Sequence, residues 1–268
     1  MKTFDGVLLL SDLDGTLFDD EKNISPATYD AIDWFVREGG RFSIATGRAR
    51  MELKTCPYLP INAPFCVSDG ALILDERQNI VYRAGMPTIT KELISSALAR
   101  FSELCCEIFT DDKIFLLQCN VEAQKHMNNI QYQDYVLLSS LEGQNTENWR
   151  KIHFTGALHL MEDVFNFLKP WKNKFCLAAS QIAFWELTAL NVNKGAAARK
   201  IANLCNIAPD KIFAIGDSEN DKELLQTAYI GFAPQNATEN IRKIAQVRVG
   251  NNNQNAVAEV IQYLAHEL

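Results

Sequence analysis

The sequence predicts an α/β protein: a parallel sheet flanked by helices, interrupted by an inserted α+β segment. Three observations carry this. Short apolar runs alternate with helical patterns over the first ~75 residues, the rhythm of a parallel sheet flanked by helices. From about residue 72 the rhythm changes to hairpins, and at Lys194 the first rhythm returns.

Val7 to Ser11 reads as a buried strand. Ser25 is placed to cap a helix that has Pro26 at its first position, and Ala27, Ala31, Ile32, Phe35 and Val36 supply its apolar stripe before Gly39 and Gly40 stop it. Phe42 to Ala45 gives a second strand, Met51 to Cys56 a short helix stopped by Pro57, and Phe65 to Ser68 a third strand. Leu72 to Leu74 and Ile80 to Tyr82 then flank a polar turn, as do Cys106 to Phe109 and Ile114 to Gln118. Helical spacing marks Thr90 to Leu104 and Met161 to Leu168, and strands are expected at Phe175 to Ala178 and Ile182 to Leu187.

After Lys194 come a helix through Ala198, Ile201 and Ala202, a strand at Ile212 to Ile215, and a helix around Leu224 and Leu225. A strand at Tyr229 to Phe232, a helix from Thr238 to Ala245 and a last helix close the chain. The two parallel-sheet stretches, residues 1–79 and 188–268, are therefore expected to form one core split by an insertion over 80–187.

Composition narrows the partners. The 268 residues are 47% apolar and 10% aromatic, enough to fill ordinary cores, which excludes a disordered or fibrous chain. With 26 basic against 33 acidic side chains the net charge is -7, the reverse of a nucleic-acid footprint. No run approaches the ~20 apolar residues of a bilayer span and the N-terminus lacks signal-peptide character, so the expected location is the cytoplasm, without a membrane partner. Seven cysteines without a Cys-x-x-Cys pair exclude a disulfide framework or zinc ribbon and read as buried thiols. Four scattered histidines with no i, i+4 pair give no metal-ligand cluster, so the ligands of any metal are expected to be oxygens.

The candidate chemistry lies where apolar strands end. Asp12-Leu13-Asp14-Gly15-Thr16 follows the first strand, at the carboxyl edge where open α/β sheets bind ligands. Carboxylates at i and i+2 project from one loop, one to attack or ligate and one to move a proton; the alternative is a solvated acidic turn. Gly216-Asp217-Ser218-Glu219-Asn220-Asp221 follows another strand and brings more acid to the same edge, or simply caps a helix. If those strands are neighbours, crowded carboxylates call for a divalent cation, and Mg²⁺ suits an oxygen-only, partly hydrated site. Thr46-Gly47-Arg48 offers a hydroxyl and backbone N–H groups, and Lys194 an ammonium, as a phosphoryl group requires. In isolation each of these last two is also an ordinary turn or a solvated lysine.

Taken in chain order, Asp12 to Thr16, then Thr46, then an insertion of about a hundred residues, then Lys194, then Gly216 to Asp221, the four elements resemble the motifs of the haloacid dehalogenase-like superfamily of aspartyl phosphotransferases, and the position of the insertion resembles its Cof-type branch. The resemblance covers the whole chain. It implies a Rossmann-like core with an inserted α/β cap that carries substrate specificity. It further implies that Asp12 is the nucleophile and Asp14 the general acid/base, and that Thr46, Gly47, Lys194 and Asn220 hold phosphate. Mg²⁺ would bind Asp12, the main-chain carbonyl of Asp14, and Asp217, while Asp221 would orient Lys194 or the metal shell.

One departure is visible: many Cof-type members carry Asn-Gly-Ala after the third strand, whereas this chain reads Asp69-Gly70-Ala71. Asp69 either places a negative charge near the pocket rim or faces solvent in a turn. Arg48, Gly70, Asn191 and Glu186 are further candidates for substrate contact. The reading implied is a Mg²⁺-dependent phosphatase for a small phosphorylated metabolite, a sugar phosphate first, acting as a monomer or weak homodimer. Alternatives are a phosphomutase of the same superfamily and a non-catalytic, receiver-like phosphate-binding domain.

Overall fold

The fold follows the predicted alternation closely in its first and last thirds. The structure is a computed structural model and describes residues 2–181 and 184–268. Strand β1 (Leu8–Ser11) is buried along its whole length, helix α1 (Pro26–Arg37) starts at a Ser25 cap that accepts from the Thr28 N–H, and β2 (Arg41–Ile44) follows. Next come β3 (Phe65–Val67), β4 (Leu72–Leu74) and β5 (Ile80–Arg83). The middle of the chain supplies α2 (Thr90–Arg100), β6 (Cys105–Phe109), β7 (Ile114–Leu117), α3 (Val121–Asn129), β8 (Val136–Leu137), β9 (Lys151–Thr155), α4 (Met161–Leu168), β10 (Phe175–Gln181) and β11 (Phe184–Ala189). The remainder is α5 (Lys194–Leu204), β12 (Ile212–Ile215), α6 (Lys222–Thr227), β13 (Ile230–Pro234), α7 (Glu239–Ile244), β14 (Val247–Val249) and α8 (Ala256–Glu267). The strand expected from Ile182 begins at Phe184 here, Ile182 itself lying outside the described residues.

The chain divides into two compact units. The first, residues 1–47, 56–82 and 193–268, holds a five-stranded sheet of order β14-β13-β12-β1-β2, parallel throughout. Helical residues such as Ala197, Ala198, Ile201, Leu224, Leu225 and Ile241 cover the buried strand residues Leu8, Leu10, Ile212 and Ala214. The third strand departs from the expected continuation of this sheet. It builds a separate sheet β3-β4-β5, and among the described residues its pairing toward β2 is an isolated parallel bridge from Cys66 to Ala45, just past the end of β2. Strand β3 pairs instead with β4, antiparallel, across the Ser68–Gly70 turn, where Asp69 takes a left-handed φ of 55°.

The second unit, residues 48–55 and 83–192, holds a six-stranded sheet of order β10-β11-β9-β6-β7-β8, antiparallel except for β7 with β8. Strand alternation sends Cys106, Ile108, Ile152 and Phe154 to a core shared with Leu93, Ile94 and Ala97 of α2 and with Val164 and Leu168 of α4. Cys105, Phe109, Ile114 and Leu116 pack instead with Ala123 and Met127 of α3.

On this second face β6, β9 and β11 carry polar side chains in register, Glu107 opposite His153 and His153 opposite Glu186. His126 of α3 closes on the same row, its Nδ1 2.7 Å from Glu107 Oε2. The expectation that the histidines form no metal-ligand cluster is therefore corrected. His126 and His153 meet around Glu107 because β9 and α3, neither of which stood out in the sequence, bring them together.

All seven cysteines are free, with Cys66, Cys105 and Cys106 buried and the other four half-buried. Burial pushes the Cys66 thiol up to about 12, which makes it inert at neutral pH. Among the described residues no helix is long and apolar enough to cross a membrane.

Candidate active site

The first unit gathers its acidic residues at one sheet edge because β1 and β12 are hydrogen-bonded neighbours, Ser11 standing opposite Ile215. The Asp12 N–H continues the ladder by donating to Ile215 O, after which the chain folds back, Phe18 N–H donating to Leu13 O. Gly15 makes that return with a φ of +76°, and a Cβ there would lie 2.8 Å from an Asp217 carboxylate oxygen. Both loops thus approach closely. Thr16 Oγ1 donates to Asp217 Oδ1 at 2.8 Å and Asn236 Nδ2 to Gly15 O at 2.7 Å, tying the first loop to the fourth motif and to the loop after β13.

Lys194 is the first residue of α5, whose N-cap, Asn193, accepts from the Ala196 N–H. Its ammonium is buried, 2.7 Å from Asp12 Oδ1 and 2.6 Å from Asp221 Oδ1. The other oxygen of Asp221 accepts from the N–H groups of Asp217 and Ser218, closing a capping box. Asp221 therefore positions Lys194 and the Asp217 loop. Gly216 permits this, since a Cβ there would meet the Asp221 side chain at 2.5 Å.

The carboxylates of Asp12, Asp217 and Asp221 offer oxygens within 4.8 Å of one another. Burial pushes the Asp12 carboxyl well above its ordinary range, opposed by the Lys194 charge and reinforced by Asp221 and Asp217. Burial and the Asp221 charge likewise raise Asp217 to about 6. Such crowding without enough positive charge is what a divalent cation relieves, and an all-oxygen donor set suits Mg²⁺. Asp221 is already engaged by Lys194 and two N–H groups, which leaves Asp12 and Asp217 as the side chains that fit the ion.

The other expected residues fall as follows. Asp14 is half-exposed and its Oδ1 forms an ion pair with Lys22 at 2.8 Å. Thr46 is buried after β2, where its N–H donates to Cys66 O and its carbonyl accepts from the Asp69 N–H, so this loop and the turn after β3 are stitched together. Gly47 adjoins Asp69 and Asn220, a Cβ there lying 3.1 Å and 3.3 Å from their polar atoms. Asp69 is buried and accepts from Asn220 Nδ2 at 2.9 Å, which excludes the solvent-facing one of its two alternatives. Gly70 completes that turn. Arg48 and Asn191 belong to the second unit, the first half-buried and the second exposed, as does Glu186, buried beside Lys151 and His153.

Sequence reasoning missed the positioning work of Thr16, Ser218 and Asn236. Thr16 and Ser218 stand inside the recognised motifs, and their spacing to the carboxylates was the available signal. Asn236, on a loop after β13, carried none.

The profile of haloacid dehalogenase-like hydrolases matches residues 9–261. Phosphatase YwpJ of Bacillus subtilis is 26% identical over 96% of this chain and 99% of its own length. The 5-amino-6-(5-phospho-D-ribitylamino)uracil phosphatase YwtE of the same organism is 24% identical, over 94% of this chain and 96% of its own. Among solved structures, a haloacid dehalogenase-like hydrolase from B. subtilis superposes with a TM-score of 0.83 at 24% identity, covering 98% of this chain and 100% of the other.

Proposed function

Because the chain belongs to the haloacid dehalogenase-like hydrolases, we propose that it is a Mg²⁺-dependent phosphatase of a small phosphorylated metabolite, working through an aspartyl-phosphate on Asp12. The observation that carries this reading is the buried Asp12 carboxylate, 2.7 Å from the Lys194 ammonium and grouped with Asp217 at the end of β1. A carboxylate so placed is held at a fixed position and has a counter-charge beside it for an arriving phosphoryl group.

In the first step an Asp12 oxygen bonds to phosphorus as the bond from phosphorus to the leaving oxygen breaks, and Asp14 gives that oxygen a proton. In the second, Asp14 takes a proton from water, the water oxygen bonds to phosphorus, and Asp12 leaves as a carboxylate with release of inorganic phosphate. Lys194, Thr46, the Gly47 N–H and Asn220 are assigned to the phosphoryl oxygens, and Asp221 keeps Lys194 in place. Asp12, Asp217 and the main-chain carbonyl of Asp14 would hold Mg²⁺, which when bound supplies the positive charge that lets an anionic nucleophile meet an anionic substrate.

The second unit, which takes in most of the insertion expected over 80–187 together with residues 48–55 and 188–192, is assigned to specificity, and the first unit to catalysis. A phosphorylated sugar or polyol is the first substrate to test, in line with the phosphoribityl compound in the name of the YwtE relative. The test is a phosphate-release screen over phosphorylated metabolites with and without Mg²⁺. Phosphate release that needs Mg²⁺ and is absent in Asp12→Asn supports the reading. Isomer formation without phosphate release would make the protein a mutase, and no turnover on any ester would favour a binding role.

A further inference from the structure

The second unit contains a cluster that phosphoryl transfer does not use. Glu107, His153 and Glu186 form a cross-strand row on β6, β9 and β11, and His126 reaches it from α3. Glu107 is fully buried, and its two oxygens have different tasks. Oε1 accepts from Thr155 Oγ1 at 2.8 Å, while Oε2 faces two imidazoles, His126 Nδ1 at 2.7 Å and His153 Nδ1 at 3.3 Å. The Glu107 oxygen and the two ring nitrogens lie within 4.8 Å of one another.

His153 is 5% exposed, yet neither of its ring nitrogens has a partner in hydrogen-bond geometry, although Glu107 and Glu186 oxygens stand at 3.3 Å and 3.1 Å. With Glu186 beside its Nε2, His153 turns Nδ1 to the same Glu107 oxygen that His126 Nδ1 faces, so both imidazoles can direct a ring nitrogen to one point. Phe109 and Phe184 wall the cluster, their rings 4.5 Å and 6.0 Å from that of His153.

We propose that Glu107, His126 and His153 form a site for one first-row divalent transition-metal ion, of which Zn²⁺ is the probe. Donors bound at about 2.0–2.1 Å around a tetrahedral ion stand roughly 3.3 Å apart, so a small widening of the His126–Glu107 pair admits the ion. Glu186 Oε1, 3.1 Å from the far nitrogen His153 Nε2, is the carboxylate that orients a ligating imidazole, and Lys151 at 3.4 Å neutralises its other oxygen. Two imidazoles favour zinc-like ions over Mg²⁺, which separates this site from the all-oxygen set at Asp12 and Asp217. Three protein donors leave a fourth position for water or an anionic ligand. Bound there, the ion would tie β6, β9 and α3 together. This inference is independent of the proposed phosphatase reading.

The test uses the chelator-stripped full chain, titrated calorimetrically with Zn²⁺ in excess Mg²⁺, in the wild type and in Asp217→Asn. Both proteins are expected to bind one Zn²⁺ per chain with a dissociation constant of about 1 μM or tighter. His126→Ala should weaken that binding by at least roughly 100-fold, and Glu186→Gln by about 10- to 100-fold. Zn²⁺ should raise the melting temperature of the wild type and not that of His126→Ala, a variant of a half-buried helix residue that keeps the fold. His159→Ala, outside the cluster, should bind as the wild type does. Unchanged binding in both His126→Ala and His153→Gln, or no Zn²⁺ binding by the folded wild type, would overturn the proposal.

Discussion

The ammonium of Lys194 lies 2.7 Å from the carboxylate of Asp12, with both groups buried. Asp221, fully buried, holds the same ammonium from the other side at 2.6 Å. Removing Lys194 strands two carboxylates in a low-dielectric setting. Lys194→Met is therefore expected to abolish turnover and to cost about 3–5 kcal/mol of stability at pH 8. The loss should shrink at pH 5, because the Asp12 carboxyl, whose folded pKa burial raises, contributes stability at low pH that disappears as pH rises through that pKa. Urea denaturation at the two pH values checks the sign.

On the proposed reading, Asp217 sets the pH dependence of Mg²⁺ binding. Its folded pKa is raised to about 6 from 3.8, so without metal it retains a proton that the unfolded chain has already lost. The stabilising contribution is complete below pH 3.8 and lost as pH rises through 6. Mg²⁺ must displace that proton, so apparent Mg²⁺ affinity should be flat above pH 7 and fall by up to about tenfold per unit below pH 6. Asp217→Asn should remove Mg²⁺ stabilisation altogether. Thermal shifts across pH, with and without Mg²⁺, report both effects.

Asp69 accepts from Asn220 at 2.9 Å and lies next to Gly47, so it acts on the phosphate loop from within. If Gly47 and Asn220 hold phosphate as proposed, the Asp69 charge disfavours acidic substrates. Asp69→Asn should improve kcat/KM for acidic relative to neutral phosphate esters by about 1 kcal/mol, roughly fivefold, while changing kcat less. The ratio for two substrates, measured on both proteins at low salt, is the readout, and an unchanged ratio would remove Asp69 from specificity.

Asp14 pairs with Lys22 in a setting where the two side chains are 38% and 56% exposed. An exposed ion pair contributes about 0–1 kcal/mol and breaks readily, as a proton-transferring carboxylate needs. Lys22→Gln should therefore alter kcat by less than about fivefold, whereas Asp14→Asn should lower it about 10²- to 10⁴-fold. Steady-state rates on one good substrate separate the two.

The gathering of acidic residues at one sheet edge was legible because they sit within a few positions of buried strands whose apolar runs are plain: Leu8 to Leu10 before Asp12, and Ile212 to Ile215 before Asp217. Sequence adjacency there stands in for spatial adjacency. Lys194 needed the helix cap at Asn193, also a local signal. The Glu107 cluster was not legible, since register alone sets His153 opposite Glu107 and Glu186. Lys151-Ile-His-Phe-Thr does alternate polar with apolar, the pattern of a half-buried strand, but that pattern alone does not place His153 against Glu107 and Glu186. The same holds for Asp69, whose turn looks solvent-facing until Asn220, carried by a distant segment, is seen to cover it.

Covalent catalysis by Asp12 is the central claim, and acid-quenched single-turnover labelling tests it most directly. The enzyme, in excess over a ³²P-labelled substrate identified by the screen, is quenched in acid and digested, and the label is mapped by mass spectrometry. A phosphoryl group on Asp12 that forms and decays at rates consistent with kcat, and that is absent in Asp12→Asn, is the expected result. Turnover with the label on Asp14, or full activity in Asp12→Asn, would contradict the account.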